Sequence, residues 1–516
     1  MRIPLAAASG AAVRARATTF DLRPAVLLIL LCALPVLLFL PFLQEPFERD
    51  EGIYATIAQG LFDGKIPYRD YFEFKPPLVY GWYALGFLIF GEGVVAPRIM
   101  AALCLATTTL LVFLAGRLLL TARQAYFAAA VFAASIALAS LQFNANTEVF
   151  MLPFLVASLV AFAKGQRDEK PAWFFVAGFT GGIAVLTKQV AVWNLVALGG
   201  CALWFAWQRR PSLFELRPAV ALGLGAAVAA GLILTPFALT GTLDDFVEVS
   251  LVYGWDYTSD VPLQSRLSGL DRLWQQVPAT APLLAAAAFG ALRLRRRLAE
   301  PSGLILAAWA AGSLFGVVSS GRFYPHYVVQ LLPALALLAA PVAESAYDGL
   351  RAGWRPARHP LATAAWAVLL LSCFYFSLSV FLHATPEGRH IAKFPDAQAR
   401  VAIASRALAD YVRAETRPED TILNWGRETQ LYFYADRKPA TRYLYDRPFW
   451  QDPPTLDRAM ADLRAHPPVL ILDSLPPPGR GEPYAEYHPQ VYLDFLAERY
   501  EYAGRVEFAE VYRLKE

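Results

Sequence analysis

Long apolar runs fill most of this 516-residue chain up to about residue 382, and they constrain its fold more than any other feature. A transmembrane helix needs about 20 mostly apolar residues. By that rule about eleven spans are predicted, near 24–43, 94–116, 124–141, 149–163, 172–187, 190–207, 218–240, 279–292, 303–319, 325–343 and 361–382. Charged residues make up only 17% of the chain and are bunched between these runs. The pattern predicts an α-helical polytopic membrane protein.

Lysine and arginine are unevenly shared between the loops, and this asymmetry predicts the orientation. With the tail 1–23 in the cytoplasm, the inner loops are all basic: 117–123, 164–170, 209–210, 293–297 and 351–358. The same count requires the short apolar run 76–91 to lie along the interface or re-enter, instead of crossing. The predicted domains are the cytoplasmic tail, a membrane domain (24–383) with an outer-face loop at 44–93, and an extracytoplasmic domain (384–516).

Charge and cysteine content exclude two classes of partner. The net charge of +3 resides in the inner loops, so it is a topology signal and not a nucleic-acid footprint. Cys32, Cys104, Cys201 and Cys373 all lie inside apolar spans, without metal-ligand spacing. We therefore expect no nucleic-acid partner and no metal site, and we interpret the cysteines as structural thiols.

Beyond His383 the sequence has the texture of a soluble α/β domain. Helical spacing over 397–415 precedes the predicted strand 421–425 and a short helix over 428–434. A helix over 455–465 and strands over 469–473 and 508–514 follow. No glycine-rich phosphate loop comes after the strands, so no nucleotide site is predicted there. The expected role of this small domain is to cap a site at the membrane surface.

The loop after the first span combines carboxylates, cations and aromatic residues, which a simple helix linker does not need. Within it, Asp50 and Glu51 are the first catalytic candidates, because a carboxylate is the ordinary general base for deprotonating a hydroxyl. An isolated acidic pair at a helix N-terminus is more often a favourable partner of the helix dipole. Glu148, which enters a later span, is either a third catalytic carboxylate or part of an Asn-rich helix cap; we favour the catalytic role.

Five cations on four segments of the chain are candidates for binding a phosphate group. Lysine suits phosphate as a compact charge, and charges near a membrane core usually have a partner or ligand. The alternatives are a snorkelling lysine and internal salt bridges. The candidates are Lys75, Lys188, Arg98, Arg322 and His326.

Together these segments resemble the GT-C glycosyltransferases, and among them the glycosyltransferase family 39-like bacterial enzymes. That group is similar to protein mannosyltransferases and includes the aminoarabinose transferases of lipid A. The resemblance covers roughly residues 20–385. It is carried by Arg49–Gly52, Lys75–Leu78, Glu148, Leu186–Lys188, and Pro325–Tyr327 with Leu332–Pro333.

The resemblance implies a GT-C-like fold and a hexosyl or pentosyl transferase with a polyprenyl-phosphate sugar donor. It implies inverting, nucleotide-independent transfer to a lipid, glycan or protein acceptor on the outer face of the bacterial inner membrane, in contact with membrane lipids. Asp50 matches the catalytic base, and Lys75 and Lys188 match donor-phosphate ligands. No cofactor is fixed, and a divalent cation is left open. Gln189 stands where relatives usually carry glycine, which leaves the donor sugar open.

The main rival is a polytopic transporter or flippase of glycan or lipid precursors. Such a protein concentrates ionisable and helix-breaking residues near the bilayer midplane and often contains inverted repeats. Here the charges cluster at one face, in the outer loops, and we find no similarity between the two halves of the sequence. A membrane scaffold with an exported binding domain is a third reading, but it gives no reason for the charged first loop.

Overall fold

The computed structural model describes nine parts of the chain. They are residues 23–138, 141–209, 215–259, 261–351, 378, 380–394, 397–451, 453–475 and 488–516. Up to residue 351, the described residues are almost entirely helical. The helices are α1 (Arg23–Phe39), α2 (Arg49–Phe62), α3 (Leu78–Phe90), α4 (Val95–Leu119), α5 (Ala122–Ser135), α6 (Thr147–Asp168), α7 (Pro171–Thr187), α8 (Val192–Gln208), α9 (Arg217–Leu239), α10 (Leu243–Phe246), α11 (Gly254–Ser259), α12 (Leu263–Leu294), α13 (Pro301–Val318) and α14 (Leu332–Arg351).

Eight helical segments of the described chain are long and apolar enough to cross a membrane. They are Arg23–Phe42, Val95–Leu119, Thr147–Asp168, Gln189–Gln208, Arg217–Leu239, Val277–Ala299, Pro301–Val318 and Pro325–Asp348. The protein is a multi-pass membrane protein, as the apolar runs predict. Short loops make successive spans antiparallel, so their ends form two opposite faces.

Three predicted spans differ from what the structure describes. The one predicted at 124–141 is a helix of only 14 residues, α5, which ends at Ser135. The one predicted at 172–187 is the 17-residue α7. Most of the one predicted at 361–382 lies outside the described residues. The 13 residues of α3 extend about 20 Å, which is less than the ~30 Å hydrocarbon core, so this helix is too short to cross.

Glycines allow α7 and α9 to approach closely. A Cβ added at Gly178 would lie 1.8 Å from the Leu222 carbonyl oxygen, and one at Gly225 would lie 2.0 Å from that of Phe175. In a lipid environment helices associate largely through such close packing of small residues, because the surrounding acyl chains are equally apolar.

The C-terminal domain contains a five-stranded sheet. Its order is β2-β1-β3-β5-β4, with β1 parallel to β2 and β3, and β5 antiparallel to β3 and β4. The strands are β1 (Thr421–Trp425), β2 (Lys438–Pro439), β3 (Leu470–Asp473), β4 (Tyr500–Val506) and β5 (Ala509–Leu514). The accompanying helices are α15 (Pro386–Lys393), α16 (Ala397–Glu415), α17 (Gln430–Ala435), α18 (Arg447–Gln451), α19 (Pro453–Ala465) and α20 (Gln490–Arg499).

The predicted α/β character of this domain is confirmed, but two edge strands were missed. β2 has only two residues, one of them proline. β4 is a mostly exposed edge strand without a continuous apolar side. Neither strand carries the apolar alternation by which a half-buried strand is recognised in a sequence.

Residues 428–436, which we call the docking segment, join the C-terminal domain to α2. Arg49 donates two hydrogen bonds to Glu428, at 3.1 and 2.7 Å, and the Thr429 hydroxyl donates to the Arg49 carbonyl at 2.8 Å. Gly52 permits this contact, because an added Cβ would lie 2.5 Å from the Gln430 backbone nitrogen. The docking segment therefore packs closely against the first turn of α2 and is hydrogen-bonded to it.

A buried charge cluster forms a second connection between the domains. Lys393 Nζ lies 2.8 Å from a Glu45 carboxylate oxygen, and His390 Nδ1 lies 3.6 Å from the same oxygen. Lys393 also donates to the Phe143 carbonyl at 3.0 Å. Burial alone would raise the pKa of Glu45, but Lys393 and His390 lower it to about 2.

We expect this cluster to make the fold acid-sensitive. The ionised Glu45 stabilises the fold above its unfolded pKa of about 4.5, and this stabilisation is lost as the pH falls through about 2. Burial also lowers the pKa of His390, which opposes folding as the pH falls below about 6.5. The thermal unfolding temperature of the purified protein should therefore decrease as the pH is lowered from about 6.5 to about 2.

The matched variants are Glu45→Gln and, at an exposed position of the C-terminal domain, Glu419→Gln. Glu45→Gln should flatten the dependence of the unfolding temperature between pH of about 4.5 and about 2, whereas Glu419→Gln should keep it. Identical pH profiles for Glu45→Gln and the parent protein would contradict the assignment of this dependence to Glu45.

Candidate active site

Helix α2 begins so that Asp50 lies in its first turn, next to the membrane domain. Glu48 is the N-cap residue, and a reciprocal capping box with Glu51 fixes the helix start. Asp50 is partly exposed, whereas Glu48 and Glu51 are buried. Of the three acids in this turn, Asp50 is therefore the one whose carboxylate a substrate can reach.

Glu51 is occupied by a buried ion pair with Arg98. The Glu51 carboxylate accepts from Arg98 Nε at 3.1 Å and Nη2 at 2.7 Å, and from the Ala145 backbone N–H at 3.0 Å. The side chains of both charged residues are no more than 1% exposed. The structure thus brings these two predicted site residues together, but separately from the other candidates.

The remaining N–H groups of Arg98 bind backbone carbonyls of the loop that precedes α2. Their acceptors are the carbonyl oxygens of Phe42, Leu43, Glu45 and Pro46. A guanidinium has five N–H donors, and here every one points at a protein acceptor. Arg98 therefore has no donor left for a phosphate group.

Lys75 is presented by a loop whose backbone is fixed from several sides. Its carbonyl oxygen accepts from the hydroxyls of Tyr68 at 2.8 Å and Tyr80 at 3.1 Å. The preceding Phe74 carbonyl accepts from Gln189 Nε2 at 2.8 Å and from the Ser250 hydroxyl at 3.0 Å. Gln189 thus has a structural role: it ties the junction of α7 and α8 to the Lys75 loop.

Glu148, Lys188 and His326 meet where three membrane segments end. The Lys188 ammonium contacts Glu148 Oε1, and His326 Nε2 lies 3.7 Å from the same oxygen. The Lys188 Nζ atom also lies 4.3 Å from the centre of the Tyr327 ring. Glu148 is in the first turn of α6 and Lys188 directly follows α7, so the group lies at one end of the helices and not at their middle.

Electrostatics connects Asp50 to these cations. Burial lowers the pKa of Lys75, but the carboxylates of Asp50 and Glu73 raise it, and the resulting pKa lies above the ordinary value. Lys75 Nζ is 3.9 Å from Glu73 Oε1. The charge of Asp50 also acts on Lys188 and His326. Asp50, Lys75, Glu148, Lys188 and His326 therefore share one electrostatic neighbourhood.

Arg322 lies at the edge of this group, stacked on Tyr257. Its guanidinium carbon is 3.8 Å from the centre of the Tyr257 ring, which in turn lies 4.5 Å from the Phe74 ring beside Lys75. Arg322 also donates to the Tyr257 carbonyl at 2.6 Å. Four of the five predicted cations thus surround one region, and Arg98 is the exception.

The C-terminal domain contributes two side chains that sequence reasoning missed. The Tyr445 hydroxyl donates to Glu73 at 3.0 Å, and Arg447 donates to the Tyr257 hydroxyl at 2.7 Å. The sequence does contain a pattern that could have indicated them: RYLYDRPFW at 442–450 repeats the mixture of cations and aromatic residues found in the first outer loop. The long separation in sequence hid its relation to the site.

No group of three His, Cys, Asp or Glu side chains among the described residues is arranged to hold a metal ion. What the arrangement offers is one reachable carboxylate facing several cations, at the boundary between helix ends and a soluble domain. It can hold an anionic group near the cations while Asp50 accepts a proton.

Comparison with solved structures identifies the fold of the chain. ArnT from Cupriavidus metallidurans bound to undecaprenyl phosphate has a similar structure, with a TM-score of 0.59 at 17% identity, covering 95% of this chain and 98% of ArnT. The Archaeoglobus fulgidus oligosaccharyltransferase tethered with an acceptor peptide gives 0.53 at 12% identity, covering 96% of this chain and 74% of its own. The chain has the GT-C fold.

Part of the sequence is similar to a glycosyltransferase family and to named enzymes. Residues 75–234 match the family described as dolichyl-phosphate-mannose-protein mannosyltransferase. The undecaprenyl phosphate-alpha-4-amino-4-deoxy-L-arabinose arabinosyl transferase of Pseudomonas savastanoi pv. phaseolicola is 31% identical over 201 residues, which are 37% of this chain and 36% of that protein. A second arabinosyl transferase, from Pseudomonas fluorescens, is 30% identical over 236 residues, or 43% and 39%.

The chain thus matches less than two fifths of the length of these curated relatives. The resemblance to mannosyltransferase-like and aminoarabinose-transferase-like GT-C enzymes is confirmed. The match to the family begins at Lys75 and includes Glu148 and Lys188, while Asp50, Arg322 and His326 lie outside it.

We predict that Arg98→Met destabilises the GT-C domain severely, because it leaves the Glu51 carboxylate buried without its partner. Breaking a buried pair in this way costs about 3–5 kcal/mol, whereas replacing both members by apolar groups is often much less harmful. Arg98→Met with Glu51→Leu should therefore recover part of the loss. Chemical or thermal unfolding of the purified variants in detergent measures both effects.

Arg167→Met is the control, since the Arg167 side chain is 58% exposed beside Asp168. A surface pair is worth less than about 1 kcal/mol, so this variant should resemble the parent protein. Equal stability of Arg98→Met and Arg167→Met would show that the Arg98–Glu51 pair does not hold the fold together.

Proposed function

We propose that this protein is a membrane glycosyltransferase that moves a sugar from a polyprenyl-phosphate donor to an acceptor hydroxyl. The observation that carries the proposal is the convergence of Asp50 with Lys75, Lys188 and His326 at one end of the bundle. The GT-C fold and the match to a mannosyltransferase family support it. The named relatives use undecaprenyl-phosphate aminoarabinose, so a pentose or a hexose is the proposed sugar.

The donor phosphate is assigned to the cations. Lys75 supplies the first contact, because its side chain is 16% exposed and the loop that carries it is rigid. Lys188, together with Arg322 and His326 from one further stretch of the chain, completes the cationic pocket. Glu148 contacts Lys188 and lies near His326, so in this proposal it aligns both cations and lies next to the reacting phosphate.

The proposed reaction is a single displacement with inversion. Asp50 accepts the proton of the acceptor hydroxyl, whose oxygen forms a bond to the anomeric carbon of the sugar. The bond between that carbon and the phosphate oxygen breaks, and the electron pair leaves with the polyprenyl phosphate. Lys75 and Lys188 stabilise the negative charge that develops on the phosphate, and Asp50 holds the proton at the end.

Glu51 and Arg98 are assigned positioning roles instead of the catalytic and phosphate-binding roles that their charges suggest. Their side chains are buried, and their polar atoms are used by each other and by the backbone. They act on the reaction by holding the first turn of α2, and therefore Asp50, against the membrane domain.

We further propose that Asp50 and the C-terminal domain face the outside of a bacterial inner membrane. The contacts of Tyr445 and Arg447 with the site support a common face for both. Arg293 and Arg297 lie at the other end of the bundle, and arginine-rich loops remain in the cytoplasm. The acceptor would then be a lipid, glycan or protein of the cell envelope.

A transporter or flippase is the less favoured alternative. Its ionisable residues would lie near the membrane midplane, whereas Glu148 and Lys188 lie at helix ends. The direct test is transfer of label from a panel of radiolabelled polyprenyl-phosphate sugars by the purified protein. If the protein in vesicles moved the intact donor across the vesicle membrane and transferred no sugar, the proposal would be overturned.

Asp50→Asn should reduce turnover by about 10²–10⁴-fold, since the amide keeps the shape but cannot accept the proton. Asp63→Asn, at the exposed far end of the same helix, is the matched control and should keep normal turnover. Initial rates at saturating donor give the comparison. Turnover near that of the parent protein in Asp50→Asn would exclude Asp50 as the base.

Lys75→Gln should raise the KM for the donor about 10- to 100-fold, the range expected for losing a hydrogen bond to a charged group. The KM for the acceptor should change much less. Lys65→Gln, which removes an exposed charge from the same loop, should leave both constants near their normal values. If Lys75→Gln bound the donor normally, its phosphate-binding role would be refuted.

A further inference from the structure

A cavity separate from the candidate active site lies at the end of the bundle opposite Asp50. A cavity of about 460 Å³ opens between the junction of α4 and α5, the end of α12, and α14. Arg98 and Leu119, near the two ends of α4, are 21 residues apart, which corresponds to about 32 Å along a helix. The cavity lies at the Leu119 end and the catalytic candidates at the Arg98 end, so the two sites are distinct.

The mouth of the cavity is cationic. Arg293 donates to the Pro341 carbonyl at 3.2 Å and to the Ser345 hydroxyl at 2.5 Å, and among the described residues it has no carboxylate within 4.0 Å. Arg297 also lines the cavity and is 3.1 Å from Glu300. Glu344 is the acid that lines it.

Neighbouring charges leave this mouth positive. Arg123 engages Glu344 at 3.5 Å and also pairs with Asp348. The turn that follows α12 adds Arg295 and Arg296, which lie in sequence between Arg293 and Arg297. With these two, the region contains five arginines and three carboxylates: Arg123, Arg293, Arg295, Arg296 and Arg297 against Glu300, Glu344 and Asp348.

An apolar extension continues from the cationic mouth. A second cavity of about 170 Å³ shares Leu120, Leu294 and Arg297 with the first. Its other walls are leucine, alanine and glycine residues of α4, α12, α13 and α14 and of the turn after α12. The combined space is therefore amphiphilic, with positive charge at the membrane surface and an apolar groove running toward the membrane interior.

We propose that this space binds one anionic glycerophospholipid, with its phosphate at Arg293 and Arg297 and the start of an acyl chain in the apolar groove. Basic pockets between membrane helices on the arginine-rich face are suited to anionic lipid headgroups. A topological excess of arginine explains the charge of this loop, but it does not explain a cavity that joins charge to an apolar groove. The inference is independent of the proposed transferase activity.

Native mass spectrometry of the purified full-length protein tests the proposal. The protein is titrated in detergent with phosphatidylglycerol, with phosphatidylcholine of the same acyl chains, and with undecaprenyl phosphate. We expect one phosphatidylglycerol to be retained per chain and phosphatidylcholine to be retained far less. Arg293→Gln with Arg297→Gln should weaken phosphatidylglycerol binding by about fivefold for each arginine.

Two further variants separate this site from general attraction to lipid. Arg209→Gln removes an exposed charge on the same face, outside the cavity, and should leave retention unchanged. Ala307→Leu keeps every charge but fills the apolar groove, so it should also reduce retention of phosphatidylglycerol. If the double arginine variant does not fold, Ala307→Leu still tests the site.

Three results would overturn the proposal. Equal retention of the two phospholipids would show that charge is not recognised. Undiminished retention in both the arginine and Ala307→Leu variants would place the lipid elsewhere. If undecaprenyl phosphate instead displaced phosphatidylglycerol from the parent protein but failed to bind the arginine and Ala307→Leu variants, the site would be assigned to a polyprenyl lipid.

Discussion

The buried pair of Arg98 and Glu51 is the interaction on which the active-site end of this protein depends. Burying two charges is costly unless their hydrogen-bonding groups are satisfied, and here they are satisfied by each other and by backbone groups. Arg98 binds the carbonyls of the loop from Phe42 to Pro46, and Glu51 binds the Ala145 N–H. One charge pair therefore fixes the end of the first span, the start of α2 and the approach to α6 relative to one another.

Because α2 is held in this way, its first turn can be shared by two domains. The inner side of that turn rests on the Arg98–Glu51 pair, and its outer side is gripped by the docking segment through Arg49 and Gly52. Asp50 lies between these two supports and is left partly exposed. The C-terminal domain thus lines one side of the candidate active site, since Arg447 donates to the Tyr257 hydroxyl as well.

Sequence patterns predicted what depends on residue type and spacing. Apolar runs predicted most spans, and the α/β periodicity predicted β1 and α16. Lys75, Lys188 and His326 lie at predicted span boundaries, and the structure brings them into one electrostatic neighbourhood. Charge type alone could not reveal partners, so Glu51 and Arg98 looked equivalent to Asp50 and Lys75. Only tertiary contacts distinguish a charged group whose polar atoms are all used inside the protein from one that stays partly exposed.

The mixture of cations with carboxylates in the site has a consequence for the proposed reaction. The donor is a phosphate diester with one negative charge, whereas the leaving polyprenyl phosphate is a monoester that carries up to two. A pocket of cations alone would therefore bind the product more tightly than the donor and release it slowly. Glu148 beside Lys188 and Glu73 beside Lys75 oppose this, because each carboxylate competes with phosphate for its cation. The internal ion pairs reform as the product leaves, so the acids next to the cations favour turnover at some expense of affinity.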